Sequence, residues 1–293
     1  MKVSRSRIMK AMMTVNEEAN IDPRIAELKQ EMFNLCTGLA NVANLIGQAE
    51  PAWGMDVVSA VNLELGDAVD NVARIPDELA RGIIQVAGAH VHTIGRLMED
   101  QFTSPATVAP LARSAVEYSA LLIFLNRDEP PEIRTVRAVR ALRIGIKEDK
   151  DHRQKGLEGS YADLNAVVER YTKKNKQGIP ELKHNEIGYS EIVQKTLGGL
   201  VEDDLYDLLC SYTHHNTWKA YSQFVVADLN PTKLEIDSLY FAYKSALGLS
   251  AAALTLLKFR EETASNELRE MLNVETERIL QLGVKIDSYM AEL

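Results

Sequence analysis

Aromatic side chains are scarce in this chain, 6% of 293 residues, and only 9 residues are proline. Together with the absence of any convincing period-two alternation of polar and apolar residues, this argues against a fold of many short strands and for long helices. Cysteine is nearly absent. Cys36 and Cys210 belong to no CxxC pair, and each sits in a helical apolar pattern, so both read as buried free thiols in a reducing cytosol. A Gly-rich phosphate loop, a G-x-S-x-G elbow and an H-E-x-x-H pair are also missing. Positive charge is in deficit: the formal net charge is -9, which opposes bulk attraction to a phosphate backbone. The apolar run in residues 1–15 is interrupted by Lys10 and makes a poor signal-peptide core. The most apolar later stretch, Ala246 to Leu257, is too short to span a bilayer. A cytoplasmic protein without a membrane segment is expected.

What is present is helical periodicity. Hydrophobic residues make up 46% of the chain, enough to bury a substantial core. Asp22-Pro23 is a helix start, a capping Asp with Pro at the first helical position. From there Ile25, Leu28, Met32, Leu35, Leu39, Val42 and Ile46 form a heptad seam. A second helix is expected with Val58, Val61, Leu65, Val69, Val72 and Ile75 on one face. A third opens at Pro76-Asp77-Glu78, with the stripe Leu79, Ile83, Val86, His90, Ile94 and Leu97. Thr103-Ser104-Pro105 starts a helix that is apolar nearly all round from Ala115 to Leu125, and Pro130-Pro131 leads into the next one. After the charged run KEDKDHRQK, Gly159-Ser160 begins another helix, and residues 178–200 read as loop or short helix. A helix is predicted from Asp203-Asp204 through Phe224. The next carries Ile236, Tyr240, Tyr243, Leu247, Ser250, Leu254 and Leu257. The last carries Leu268, Leu272, Ile279, Leu282, Ile286, Tyr289 and Leu293, its seam broken by Glu275.

The pattern predicts an all-α fold, a single domain over 1–293 of about eight or nine helices, with heptad seams on the long N- and C-terminal helices and a flexible basic segment at 1–20. Those two seams can pack against each other or against a second copy, so a homodimer is the oligomer the pattern predicts.

Charge in the apolar middle of the chain marks the candidate site. Arg113 and Glu117 lie one turn apart on an oily helix, where isolated ions are costly and must be paired. They read either as an ion pair fixing register or as a binding set, with Arg113 holding an anion. Arg134, Arg137, Arg140 and Arg143 follow with period three, mostly as a solvated face. Arg137 or Arg140 is expected to turn inward beside Glu117 and favour an anionic ligand. His214 shares a helical face with Cys210 and Trp218, as a base, a ligand or a satisfied core group, and His215 points about 100 degrees away. Asp149-x-x-His152 and Glu181-x-x-His184 have the carboxylate-x-x-His spacing of di-iron bundles. The first lies in the charged run and the second follows Pro180, so no metal and no other cofactor is favoured. His90 reads as a core histidine.

Arg113-x-x-x-Glu117, the later Arg134 and Arg137, and the Tyr206-x-x-Leu209-Cys210-x-x-x-His214 motif together resemble the HEPN-like helical superfamily and neighbouring uncharacterised bacterial all-helical families. The resemblance covers about residues 105–225, with Cys210 where a serine is typical. It implies that Arg113, Glu117, Arg137, Tyr206 and His214 converge in one interhelical pocket. It also implies a bacterial role in defence, regulation or specialised metabolism. HEPN ribonucleases carry Arg-x4–6-His, and no Arg here precedes a His at that spacing. The functional expectation is therefore a bundle whose polar pocket, with Arg113, Arg137, Arg140, Tyr206 and His215, binds a small anionic ligand, a protein partner or RNA. The alternative is a helical-bundle enzyme, either a metal-dependent oxygenase or an acid–base catalyst using His214 with Glu117.

Overall fold

The structure, a computed structural model, describes residues 22–49, 72–101, 103–127, 130–151, 158–174, 188–214, 230–259 and 265–292, and residues 218, 222 and 226 singly. Among them are nine α-helices, one short 3-10 turn at Val72–Arg74 and no strand. The protein is an all-α helical bundle.

The first helix, α1 (Pro23–Gln48), begins where the sequence predicts. The Asp22 side chain accepts from the Arg24 N–H at 2.9 Å, and Pro23 occupies the first helical position. All seven seam residues from Ile25 to Ile46 are buried. The next helix, α2 (Ile75–Met98), packs against α1 more closely than its large apolar residues suggest. Its buried face keeps Ile83 and Ile94 of the expected stripe and adds Ala80, Ile84, Ala87, Gly88, Val91, Gly95 and Met98, whereas Val86 is 41% exposed. The stripe expected from Leu79 to Leu97 is thus rotated around the helix. The reason is steric: a Cβ at Gly88 would stand 2.8 Å from that of Ala43, and one at Gly95 2.6 Å from that of Cys36. Small residues let the two backbones approach, and larger side chains are turned aside. Of the helix expected before α2 with Val58 to Ile75 on one face, Val58 to Val69 lie outside the described residues, while Val72 falls in the 3-10 turn and Ile75 opens α2.

The centre of the bundle is the pair α3 (Pro105–Leu125) and α8 (Pro231–Phe259). Ser104 caps α3, accepting from the Ala106 N–H at 3.3 Å. Both helices are long and apolar enough to cross a membrane by length and composition. Here α3 packs on α2 and α8, while α8 also touches α1, α2 and α9 (Asn266–Glu292). The Ala246–Leu257 stretch is therefore one part of a 29-residue helix, because Tyr240, Lys244 and Ser245 lower its hydropathy without breaking its backbone. With neighbours on several sides, α8 buries Leu239, Phe241, Ala242, Leu249 and Leu256 together with Ile236, Ser250 and Leu257 of the predicted stripe, whereas Tyr240, Tyr243 and Leu247 are half-buried and Leu254 is exposed. The seam of α9 is buried from Leu268 to Tyr289, Glu275 included, and it faces α1 and α8 of the same chain. Leu293 lies outside the described residues.

Lys29 and Glu235 fasten α1 to α8. Both are buried, and the Lys29 ammonium donates to Glu235 Oε2 at 2.8 Å and to the Asp100 carbonyl at 2.8 Å. Glu235 Oε1 accepts the Thr103 N–H at 2.8 Å, so this pair also closes the turn between α2 and α3. An ion pair this dry persists because its remaining valences are filled.

The helices α4 (Pro131–Asp151) and α5 (Glu158–Lys174) pair around a smaller apolar cluster of Val136, Val139, Leu164 and Val167, joined by Val72 and Ala73. Two short helices, α6 (Tyr189–Leu197, between Gly188 and Gly198) and α7 (Asp203–Thr213), lie on α3. The irregular stretch expected at 178–200 therefore contains a helix in its described part.

Candidate functional site

The site forms where α7 crosses α3. On α3, Arg113 and Glu117 are one turn apart and face the incoming helix. On α7, Tyr206, Cys210 and Thr213 recur at helical spacing, which sets them on one face. The predicted run from 203 to 224 does not continue as one helix: α7 ends at Thr213, and His214 is the residue that caps it, with φ -94 and ψ 34. The hydroxyls of Ser211 and Thr213 bond back to the carbonyls of Leu208 and Cys210, at 2.7 and 2.8 Å. Such side-chain bonds compete with helix continuation. They leave His214 exposed at the rim of the site.

Arg113 is the hub. Its Nε donates to Glu117 Oε1 at 2.8 Å, and its Nη1 donates to Thr213 Oγ1 at 2.6 Å. Nη1 also lies 3.2 Å from His214 Nε2. A guanidinium has no acceptor, so this last bond exists only when Nε2 is unprotonated and the imidazole proton sits on Nδ1. From the other side, the Tyr206 hydroxyl donates to Glu117 Oε1 at 2.7 Å. Both bonds to Glu117 converge on one oxygen, and none of the described residues donates to Oε2 or accepts from Arg113 Nη2. The Arg113 and Glu117 side chains keep 23% and 17% of their surface in solvent, so the pair is reachable from the rim.

The electrostatics follow from burial and pairing. Burial works against the Arg113 charge, but the Glu117 carboxylate more than offsets it and the guanidinium is held above its usual range. The Tyr206 phenol is pushed up strongly, first by burial and then by its bond to Glu117. Burial raises the Cys210 thiol as well, with Arg113 pulling the other way. Tyr206 and Cys210 therefore stay neutral near pH 7. The cluster holds one fixed cation, one carboxylate and one imidazole.

Arg113, Glu117, Tyr206 and His214 meet in one constellation. Arg137 is buried elsewhere: its guanidinium lies 5.0 Å from the Phe124 ring, two turns further along α3 than Glu117. Arg134 is buried too, 3.3 Å over the Phe259 ring and donating to Asn126 Oδ1 at 3.1 Å. The arginine row is thus not mainly a solvated face, because α4 passes the C-terminal end of α3 and its guanidiniums stack there on aromatic rings. Arg140 and Arg143 are half-buried, and Arg143 donates to Asn165 Oδ1 at 2.7 Å. His90 stacks on Tyr118 at 5.9 Å, and burial lowers its pKa. The candidates His152, His184 and His215 lie outside the described residues. Among the described residues, no three His, Cys, Asp or Glu side chains converge as a metal-ligand set.

Thr213 is the member of the site that pattern reading missed. Its place seven residues after Tyr206, on the same helical face, is the signal that would have found it. Comparison of the chain with protein-family models, with curated proteins and with solved structures gives no match.

Proposed function

We propose that this chain is a cytosolic, HEPN-like helical module without nuclease chemistry, whose pocket at Arg113 binds a small oxyanion. The observation that supports this is the placement of Arg113 between Glu117 and His214. Glu117 fixes the Nε side of the guanidinium, while none of the described residues accepts from Nη2. An arginine anchored on one edge and open on the other is suited to fork-like recognition of a carboxylate, sulfate or phosphate group.

The acid–base alternative has one observation in its favour, namely that Glu117 and His214 belong to the same cluster. Its difficulty is that Arg113 stands between them and donates to the Nε2 lone pair that a general base would use. Binding asks less rearrangement of these residues than proton abstraction does.

The test is titration of sulfate and of acetate into the full chain at low salt, alongside Arg113→Lys. Saturable binding that weakens at least about tenfold in Arg113→Lys, with the fold retained by circular dichroism, is expected from the loss of the fork. No saturable binding by the wild-type chain, or binding unchanged in the variant, overturns the reading.

A further inference from the structure

The charge balance of the pocket poses a problem for any anion. Arg113 and Glu117 cancel, and Tyr206 and Cys210 are neutral, so the resting cluster offers no net positive charge. Of these side-chain types, imidazole is the one that ordinarily changes charge between mildly acidic and neutral solution. His214 is exposed, and its Nε2 occupies the Nη1 donor that an incoming anion would need.

Building on the oxyanion-binding reading, we infer that the anion enters by displacing His214 from Arg113, and that His214 takes up a proton as it does so. The resting contact requires a neutral imidazole, because an imidazolium has no acceptor to offer a guanidinium. Protonation therefore breaks the Arg113–His214 bond, frees one Nη1 hydrogen while the other stays on Thr213, and leaves a new cation beside the anion. Displacement and proton uptake favour one another. By linkage, acid strengthens anion binding and the anion strengthens proton binding to the same extent. Among the described residues, the charged group in contact with His214 is Arg113 on α3; Arg113 in turn holds Glu117, which accepts from Tyr206 on α7, where Asp207 acts on Cys210. Thr213 holds its bond to Arg113 in either state, so the guanidinium keeps its place while the imidazole leaves.

Sulfate is the probe of choice, since its charge is constant over the range. Calorimetric titration into the full chain between about pH 5.5 and pH 8 should show affinity falling as pH rises, by up to about tenfold per unit where one proton is fully coupled. Buffers of different ionisation enthalpy should report up to one proton taken up per sulfate bound. His214→Gln can still accept from Arg113 but cannot titrate, so its affinity should be flat with pH. His214→Ala lacks the competitor and should bind more tightly than wild type at the alkaline end. A flat wild-type profile, or an unchanged slope in His214→Gln, overturns this inference and leaves the oxyanion reading standing. No saturable binding at any pH removes both.

Discussion

The carboxylate of Glu275 lies directly on Gly38, in the space that a side chain at position 38 would fill. This contact joins α9 to α1. Arg278 donates to Glu275 Oε1 at 2.9 Å, while the buried Oε2 finds no donor among the described residues. Burial pushes the carboxyl above the usual range, with Arg278 pulling it back. The folded chain therefore holds this proton more tightly than the unfolded chain. The contribution is most favourable below the unfolded carboxyl value of about 4.3 and is lost as pH rises through the higher folded value. Glu275→Gln should raise stability at pH 7.5 by about 1 kcal/mol and show a flatter profile from pH 4 to 7. Urea denaturation of both chains across that range decides it, and a lower midpoint in the variant at pH 7.5 counts against the account.

Gly38→Ala should be destabilising by about 1–3 kcal/mol, since its methyl group and the Glu275 carboxylate compete for one space. The same substitution in a Glu275→Ala background should cost much less. A double-mutant cycle with a coupling below about 0.5 kcal/mol would contradict direct contact.

Breaking the Lys29–Glu235 pair from one side strands a buried charge. Lys29→Met should lose about 3–5 kcal/mol, and adding Glu235→Gln should restore part of it, because the amide oxygen still accepts from the Thr103 N–H. Thermal or urea melts of the single and double variants provide the comparison. An additive double variant would show that no charge was stranded.

Tyr206→Phe removes one of the two donors to Glu117 Oε1 and leaves the Arg113 bond in place. The expected loss is about 1–2 kcal/mol of stability, read from denaturant midpoints. Sulfate affinity should change little, because the phenol lies behind the carboxylate and not at the rim.

Close approach of α1 and α2 is tested at Gly95. Gly95→Val should lose more than about 2 kcal/mol through the clash with the Cys36 Cβ, and Cys36→Ala in the same chain, which keeps that atom, should leave most of the loss in place. Gly82 has open space around it, so Gly82→Ala should instead be neutral or stabilising in the same melts.

These contacts mark where sequence patterning was and was not informative. The α1 and α9 seams were legible because Leu, Ile and Val repeat there at heptad spacing. The pairing of Arg113 with Glu117 was legible because costly ions on an oily helix need partners, whereas Tyr206 and His214 were joined to them only by the resemblance, which placed Arg137 there as well. The buried face of α2 was misjudged by one position, since hydropathy rewards large residues while this interface selects Gly and Ala. Burial of Arg134 was hidden because its aromatic partner, Phe259, lies far along the chain, and that of Arg137 because Phe124 meets it only across the turn between α3 and α4. Lys29 and Glu235 are each unremarkable in sequence, and only the fold brings them together.

The pairing of α3 with α8 also sets a condition on synthesis. α3 leaves the ribosome roughly a hundred residues ahead of α8. In that interval α2, α6 and α7 can cover other sides of α3, but among the described residues the side that receives α8 has no other partner. A nascent chain stopped short of Pro231 therefore presents a sticky strip 21 residues long. Such a strip is a natural substrate for a holding chaperone until translation delivers its cover.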